Sequence, residues 1–191
     1  MNTLFDMGDD LPPGAAILPE FVAPSEEVAL AQALDALAWS TELKRRVQHF
    51  GYRYDYKARA VTPDAYIGPL PDWLDDVTEK LQVVFGEKPD QVIANEYLPG
   101  QGISAHIDCP PCFGETIVSL SLLSSCEMIF RRGEAKRAVL LDPRSALIMQ
   151  GSARYDWTHE IPARKSDSVA GAKISRQRRI SLTFRRTIRV A

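Results

Sequence analysis

His106 and Asp108 stand two residues apart in the run Ala105-His-Ile-Asp108. Asn95 and Tyr97 stand two apart just upstream, across a turn at Pro99-Gly100. Extended backbone sends side chains two apart to the same face. Asn95 and Tyr97 are therefore expected on one face of a first strand, and His106 and Asp108 on one face of the next. A neutral imidazole and a carboxylate sharing a face are two-thirds of the facial triad that binds non-haem Fe(II). The third ligand expected is His159, in the run Arg154-Tyr-Asp-Trp-Thr-His-Glu160, where an extended chain puts Tyr155, Trp157 and His159 on one face. Iron held by His106, Asp108 and His159 keeps three adjacent positions open, two for a 2-oxo acid and one for O2. Of the chain's 3 histidines, His49 reads equally as a packed or a functional side chain.

The run Arg179-Ile-Ser-Leu-Thr-Phe-Arg185 adds the grip for an acid. Alternation puts Arg179, Ser181, Thr183 and Arg185 on one face and Ile180, Leu182 and Phe184 on the other. Six residues at about 3.3 Å span about 20 Å, so two arginine arms reaching inward from the ends could close on a small dicarboxylate. The planar guanidinium fork suits a carboxylate because it donates to both oxygens. An edge strand with solvated arginines does not explain polar residues at every second position of an otherwise buried strand.

The elements that must position these groups begin with an arm over residues 1–24, broken by Pro12-Pro13-Gly14, whose Ile17, Leu18 and Phe21 cover a sheet edge. A supporting helix follows, with Ser25 as hydroxyl cap, acids at Glu26 and Glu27, and Leu30, Leu34 and Leu37 at helical spacing through Trp39. Residues 42–60 interleave Lys44, Arg45, Arg46, Arg53, Lys57 and Arg59 with Phe50, Tyr52, Tyr54 and Tyr56. Cations among flat rings suit a nucleic-acid contact. The alternative is an edge hairpin with its charges solvated. A second helix spans Pro69 to Phe85, with Trp73, Val77, Leu81 and Val84 inward and Gly86 closing it. Short apolar or alternating runs then recur at 92–98, 116–123, 127–131, 138–141, 146–149 and 180–186, the pattern of a sandwich or jelly roll. Residues 161–178, polar, small and basic, read as a mobile loop.

At 191 residues the chain holds one domain with a real core. It has no apolar run of membrane-spanning length and no basic-then-apolar opening segment. Three cysteines, an odd number, argue against a secreted disulfide framework, so a cytoplasmic monomer is expected. The net charge of −2 hides an asymmetry: residues 1–95 hold 8 Lys and Arg against 16 Asp and Glu, and residues 96–191 hold 15 against 9. A polyanionic partner is compatible with the basic half. Cys109 and Cys112 form a Cys-Pro-Pro-Cys immediately after Asp108. Zinc binding, a plain turn at the substrate rim and oxidation beside the iron all remain open for that pair.

The order NxYxxGxxxxxHxD, a distal His and RxxxxxR resembles the AlkB family of Fe(II)/2-oxoglutarate dioxygenases over roughly Leu43 to Arg186. The runs LKRRVQHFGYRYDY, LPGQGISAHID, FGETIVSLSL and SARYDWTHEIPARK are similar to the AlkB-type domain of animal tRNA wobble-uridine hydroxylase-methyltransferases, and the chain has room for that domain alone. The resemblance implies a mainly β, double-stranded β-helix (jelly-roll) core with supporting N-terminal helices. It implies iron on His106, Asp108 and His159, and 2-oxoglutarate held by Asn95, Tyr97, Arg179, Ser181 and Arg185, with Arg179 on the distal carboxylate. Tyr52 and Tyr54 then match lid tyrosines that approach substrate. Two departures stand out: Pro110 replaces an acid of repair-type members, and Arg45 replaces a base-stacking ring. Arg45, Tyr52, Tyr54 and Cys109 are the substrate-side candidates. The implied reaction uses Fe(II), 2-oxoglutarate and O2 to demethylate or hydroxylate a modified base in nucleic acid, in RNA or tRNA rather than DNA, and single-stranded or looped because a base must be unstacked to reach the metal. Other outcomes are the same chemistry on a protein side chain, or a binding module without catalysis.

Overall fold

A computed structural model describes residues 11–55, 58 and 60–188. Residues 1–10 of the expected arm, and Tyr56, Lys57 and Arg59 of the 42–60 segment, lie outside them. Two antiparallel sheets form the body. The larger runs in the order β1 (Ala15–Leu18), β8 (Ala146–Met149), β5 (Ile117–Leu122), β12 (Arg179–Arg185), β3 (Gln91–Tyr97) and β2 (Arg46–Phe50). The smaller runs β4 (Ile103–His106), β9 (Thr158–Ile161), β6 (Cys126–Arg132) and β7 (Ala135–Leu141). The result is the expected jelly roll.

The alternation of β12 explains how the layers stack. Ile180, Leu182 and Phe184 belong to one buried cluster with Leu30 and Leu34 of helix α1 (Pro24–Asp35) and Val77 and Leu81 of helix α2 (Asp75–Phe85). Helices therefore cover the outer face of the larger sheet. Its inner face meets the smaller sheet through a second cluster that includes Tyr97, Ile117, Leu147, Met149, Met128 and Phe130. Polar residues of β12 then point into the space between the sheets, where a site can be enclosed.

Helix α1 starts two residues earlier than a Ser25 cap requires, with Ala23 at the cap position. Pro24 occupies its first turn, and the Glu26 carboxylate accepts the Ala23 N–H at 2.7 Å. It ends at Asp35, so Leu37 is exposed. Before α2 comes a 3-10 turn, Asp72–Leu74, whose Trp73 meets the ring of Phe50 edge-on at 5.4 Å. Gly86 closes α2 at φ 79°, a left-handed conformation that suits glycine. Among the described residues no helix is long and apolar enough to cross a membrane.

Two local expectations are corrected. The loop expected over 161–178 contains a two-stranded hairpin, β10 (Ser166–Val169) and β11 (Ala172–Ser175). Buried Asp167 ties it down, taking two bonds from Arg176 at 2.7 Å and one from Arg164 at 2.8 Å, while Arg164 also pairs with Glu127 of β6. The basic composition of the segment thus serves internal ion pairs as well as solvent. The run 154–160 is not extended throughout: Gly151–Tyr155 forms helix α3, Tyr155 is exposed, and only Thr158–Ile161 is strand. The arm's Ala15–Leu18 pairs with β8 at the sheet edge, while the 42–60 segment begins as β2 on the opposite edge, where Arg46 pairs with Glu96 at 2.6 Å.

Candidate active site

Two neighbouring strands of the smaller sheet bring the histidines together. His106, the last residue of β4, pairs directly with His159 of β9, and their ring centroids lie 4.4 Å apart. A bulge precedes this pair, since the four residues Ile103 to His106 oppose the three from Ile161 to His159. Bulges re-aim side chains, and this one ends regular pairing at His106. Asp108 is therefore not on a strand face with His106, as simple alternation implied, but in the loop just beyond. Its carboxylate still reaches the pair: Oδ2 lies 3.5 Å from His159 Nε2. One ligand atom from each of His106, Asp108 and His159 lies within 4.8 Å of the others.

The protonation states favour a metal. His106 Nδ1 lies 2.8 Å from the Ser104 carbonyl oxygen, which only accepts, so Nδ1 is a donor and Nε2 is the ring nitrogen left to face a metal. Burial, with the neighbouring His106, holds the His159 pKa down to about 4, so His159 is neutral near pH 7. Burial alone would push the Asp108 carboxyl up, but the Arg185 guanidinium leads the neighbouring groups that outweigh it and hold the carboxyl below its ordinary range. Two imidazoles and a carboxylate form the donor set that Fe(II) takes.

The loop after β4 is held by a side chain that sequence reasoning did not single out. Arg154 of α3, 2% exposed, donates to the Asp108 carbonyl at 2.6 Å and to the carbonyls of Gly114, Phe113 and Cys109 at 3.2, 3.3 and 3.5 Å. The signal was present in Ser152-Ala-Arg-Tyr155, but a carbonyl clamp needs the loop's path to be seen. Cys109 and Cys112 are joined in a disulfide, and Cys126 is a buried free thiol. The bridge removes the thiolates a zinc site would need and fixes the turn directly after Asp108.

A cavity of about 470 Å³ opens over the three ligands, lined also by Asn95, Tyr97, Ser119, Ser181, Thr183 and Arg185. The polar face of β12 divides its work. Arg185 donates to the Asp108 carboxylate at 2.8 Å and to Gln91 at 2.9 Å, with its guanidinium 4.1 Å from the Phe113 ring centroid. It braces a metal ligand, whereas Arg179 bonds none of the three, so the two arms of the strand are not equivalent. Arg179, 2% exposed, donates to Ser121 Oγ at 2.7 Å, while its Nε and Nη1 are buried with no hydrogen-bond partner among the described residues. Its guanidinium adjoins the cavity through the Tyr97 ring, 5.6 Å away. A buried cation with two unmet donors fits a carboxylate of 2-oxoglutarate. Between the arginines, Ser181 bonds Ser119 at 2.9 Å and sits opposite Asn95 in the strand register. Ser119 and Ser121 share the inward face of β5, a polar alternation visible in Thr116–Leu123 and not weighted in the sequence reading.

The substrate-side candidates separate. Arg45 lines the cavity and donates from Nε to Asn95 Oδ1 at 2.9 Å. Tyr54 and Cys109 also line it, and the Tyr54 ring lies 5.8 Å from Phe113. Tyr52 does not: its ring packs against Tyr66 at 5.2 Å. Both tyrosines follow Gly51, at φ 77°, beyond the end of β2 at Phe50.

Comparison with known proteins agrees with this geometry. The model of the 2OG-Fe(II) oxygenase superfamily matches residues 19–185. An "Alkylated DNA repair protein ALKBH8 homolog" of Arabidopsis thaliana is 38% identical over 91% of this chain and 58% of its own length. "Uncharacterized protein L905" of Acanthamoeba polyphaga mimivirus is 35% identical over 92% of this chain and 86% of its own. The "tRNA (carboxymethyluridine(34)-5-O)-methyltransferase ALKBH8" of Macaca fascicularis is 40% identical over 85% of this chain, which spans only 26% of that protein. Among solved structures, "The structure of OsALKBH1" superposes with a TM-score of 0.73 at 18% identity, covering 92% of this chain and 98% of that one, a likeness of fold. With a family model matched over most of its length, and two histidines, a carboxylate and a waiting guanidinium disposed as iron and an oxo acid require, the chain belongs to the AlkB family of the 2OG-Fe(II) oxygenase superfamily, dioxygenases that use Fe(II), 2-oxoglutarate and O2.

Proposed function

We propose that this dioxygenase oxidises a carbon on a modified base of RNA, presented in a single-stranded or looped segment. Fe(II) with 2-oxoglutarate and O2 supplies the oxidation of a C–H bond, coupled to decarboxylation of the co-acid to succinate and CO2. The chain's own residues bind, orient and seal. His106, Asp108 and His159 would hold the metal, and Arg185 keeps Asp108 ionised and in place. Arg179 would take a co-acid carboxylate, with Asn95, Tyr97 and Ser181 along the same wall. Holding the reacting carbon in line with the metal and excluding water is the protein's main contribution to rate.

The observation that carries the substrate reading is the cavity wall. At about 470 Å³ the cavity lies within the range of about 300–1,000 Å³ that small ligands occupy, and Tyr54 and Arg45 line it beside the metal ligands. A flat ring beside a cation is what an unstacked base needs. The names of the Arabidopsis and macaque relatives refer to DNA repair and to tRNA. The similarity to the tRNA-named relative, and the absence of an acid at Pro110, favour RNA in this reading. A carbon attached to nitrogen would leave as formaldehyde after hydroxylation; any other would keep its hydroxyl.

Mass spectrometry of nucleosides from bulk tRNA, treated with the protein, Fe(II), 2-oxoglutarate and ascorbate, tests this. A nucleoside should change in mass, and His106→Ala should abolish the change. Succinate release unaffected by every RNA and DNA, yet stimulated by a peptide, would move the substrate to protein.

A further inference from the structure

We propose that Arg45 recognises an anionic oxygen group of the substrate, either a carboxylate carried by the base or a phosphate of the strand, and so sets which substrates the cavity accepts. This rests on the nucleic-acid reading above.

The argument starts from what holds Arg45. Its Nε donates to Asn95 Oδ1 at 2.9 Å, and Asn95 is itself only 8% exposed in β3. The side chain is thus fixed from behind by a buried amide, and the bond uses the nitrogen nearest the chain. The outer nitrogens, Nη1 and Nη2, form the part of the fork that meets two oxygens at once. Among the described residues no carboxylate pairs with Arg45, although it lines the cavity. Its neighbours differ: Arg185 is committed to Asp108, Arg154 to four carbonyls, Arg46 to Glu96, and Arg178 to Asp35 and Glu96. A surface arginine can stay solvated at no cost, but this one is preorganised at a cavity wall next to the metal ligands.

Charge points the same way. Three guanidiniums, Arg45, Arg179 and Arg185, line or adjoin the cavity, against one carboxylate, Asp108. Bound Fe(II) and the 2-oxoglutarate dianion cancel in formal charge, which leaves this excess of cations in place. A neutral base would leave Arg45 partly desolvated and unpaired, whereas an anionic group beside it would pair that charge. The site therefore discriminates for an anion and against its neutral counterpart, because the fork is stranded when the oxygens are missing.

The full chain, loaded with Mn(II) and an unreactive oxalyl analogue of 2-oxoglutarate, tests this by titration with three single-stranded oligoribonucleotides. They differ at one uridine, which is unmodified, 5-carboxymethylated, or the methyl ester of the latter. If the anion is on the base, the carboxymethyl RNA binds about 10- to 100-fold tighter than the other two, the range expected for a charged hydrogen bond. Arg45→Gln then abolishes that preference and Arg45→Lys restores part of it. If the anion is a phosphate, Arg45→Gln weakens all three RNAs alike and lowers the salt slope of binding by a little under one, as loss of about one phosphate contact predicts. Mn(II) titration of both variants reports that the fold and metal site survive. The proposal is overturned if Arg45→Gln leaves every RNA affinity unchanged, or if it weakens the co-acid analogue and not the RNA. RNA binding that ignores Arg45 would sink this inference alone. A metal-loaded protein that binds none of the RNAs would sink the nucleic-acid reading with it.

Discussion

Arg179→Met should separate a binding role from a structural one, because the two predict opposite outcomes. Arg179 is buried at 2% exposure, makes one side-chain hydrogen bond, to Ser121, and leaves Nε and Nη1 unmet beside the Tyr97 ring. Two charged hydrogen bonds to a co-acid carboxylate, at about 1.5–3 kcal/mol each, come to about 3–6 kcal/mol. At roughly 1.4 kcal/mol per tenfold, 2-oxoglutarate should bind the variant about 100- to 10,000-fold more weakly. The free protein should respond differently. Methionine keeps much of the aliphatic packing and removes an incompletely satisfied buried cation, which offsets the loss of about 1 kcal/mol from the Ser121 bond. Its Tm should therefore stay within about 2–4 °C of the parent, the shift that about 1 kcal/mol produces in a chain of this size. Calorimetry with Mn(II) and co-acid at 100 times the parent Kd should stabilise the parent by about 2.7 kcal/mol and the variant hardly at all. Mn(II) affinity measured without co-acid should match the parent, since Arg179 bonds none of the three ligands. The reasoning is refuted if co-acid affinity falls less than about fivefold, or if the free variant loses the 3–5 kcal/mol typical of breaking a buried ion pair.

Two further perturbations address the scaffold. Burial, with Arg185 and then Arg53, holds the His49 pKa down to about 4 in the folded chain, against 6.5 ordinarily. The unfolded chain therefore takes up this proton first as pH falls. The contribution of neutral His49 is fully present above about pH 6.5 and is lost between 6.5 and 4, by up to about 3 kcal/mol. His49→Gln should flatten that part of the pH profile of urea midpoints, and a slope identical to the parent's would count against it. Arg154→Lys replaces a fork serving four carbonyls with one ammonium, so a loss of about 2–3 kcal/mol in stability is expected, together with weaker Mn(II) binding as the loop carrying Asp108 loosens. Unchanged metal affinity in a folded variant would show that Arg154 supports the fold without positioning Asp108.

What was legible in the sequence was whatever follows from periodicity. The two faces of 179–185 and the strands at 92–98, 116–123 and 146–149 rest on regular spacing, and the structure places them within a residue or two, whereas the helix expected from Pro69 begins only at Asp75, after a 3-10 turn that carries Trp73. What was not legible depends on departures from regularity or on distant partners. β4 ends at His106 after a register shift, leaving Asp108 in the loop beyond, and of the two tyrosines past Gly51 only Tyr54 lines the cavity. A basic, small-residue segment looked loop-like because composition does not reveal that Asp167 will gather Arg164 and Arg176. Equally, nothing in the spacing of Arg185 indicates that its partner is Asp108, 77 residues away in sequence, rather than a ligand.

That last pairing explains how the site tolerates its own burial. A carboxylate among two imidazoles and the apolar Phe113 would, from burial alone, hold its proton and be a poor ligand. Arg185 keeps it ionised through one oxygen, Oδ1, and the other, Oδ2, is the one that lies beside His159. Arg154 fixes the same residue by its backbone carbonyl. Asp108 is thus held at two points by arginines from two different elements, β12 and α3, which compensates for its position outside any strand. The histidines need no such bracing, because direct pairing of β4 with β9 already sets His106 against His159. Two ligands are positioned by the backbone ladder and the third by buried guanidiniums, so substitutions in α3 or at the end of β12 reach the metal through Asp108.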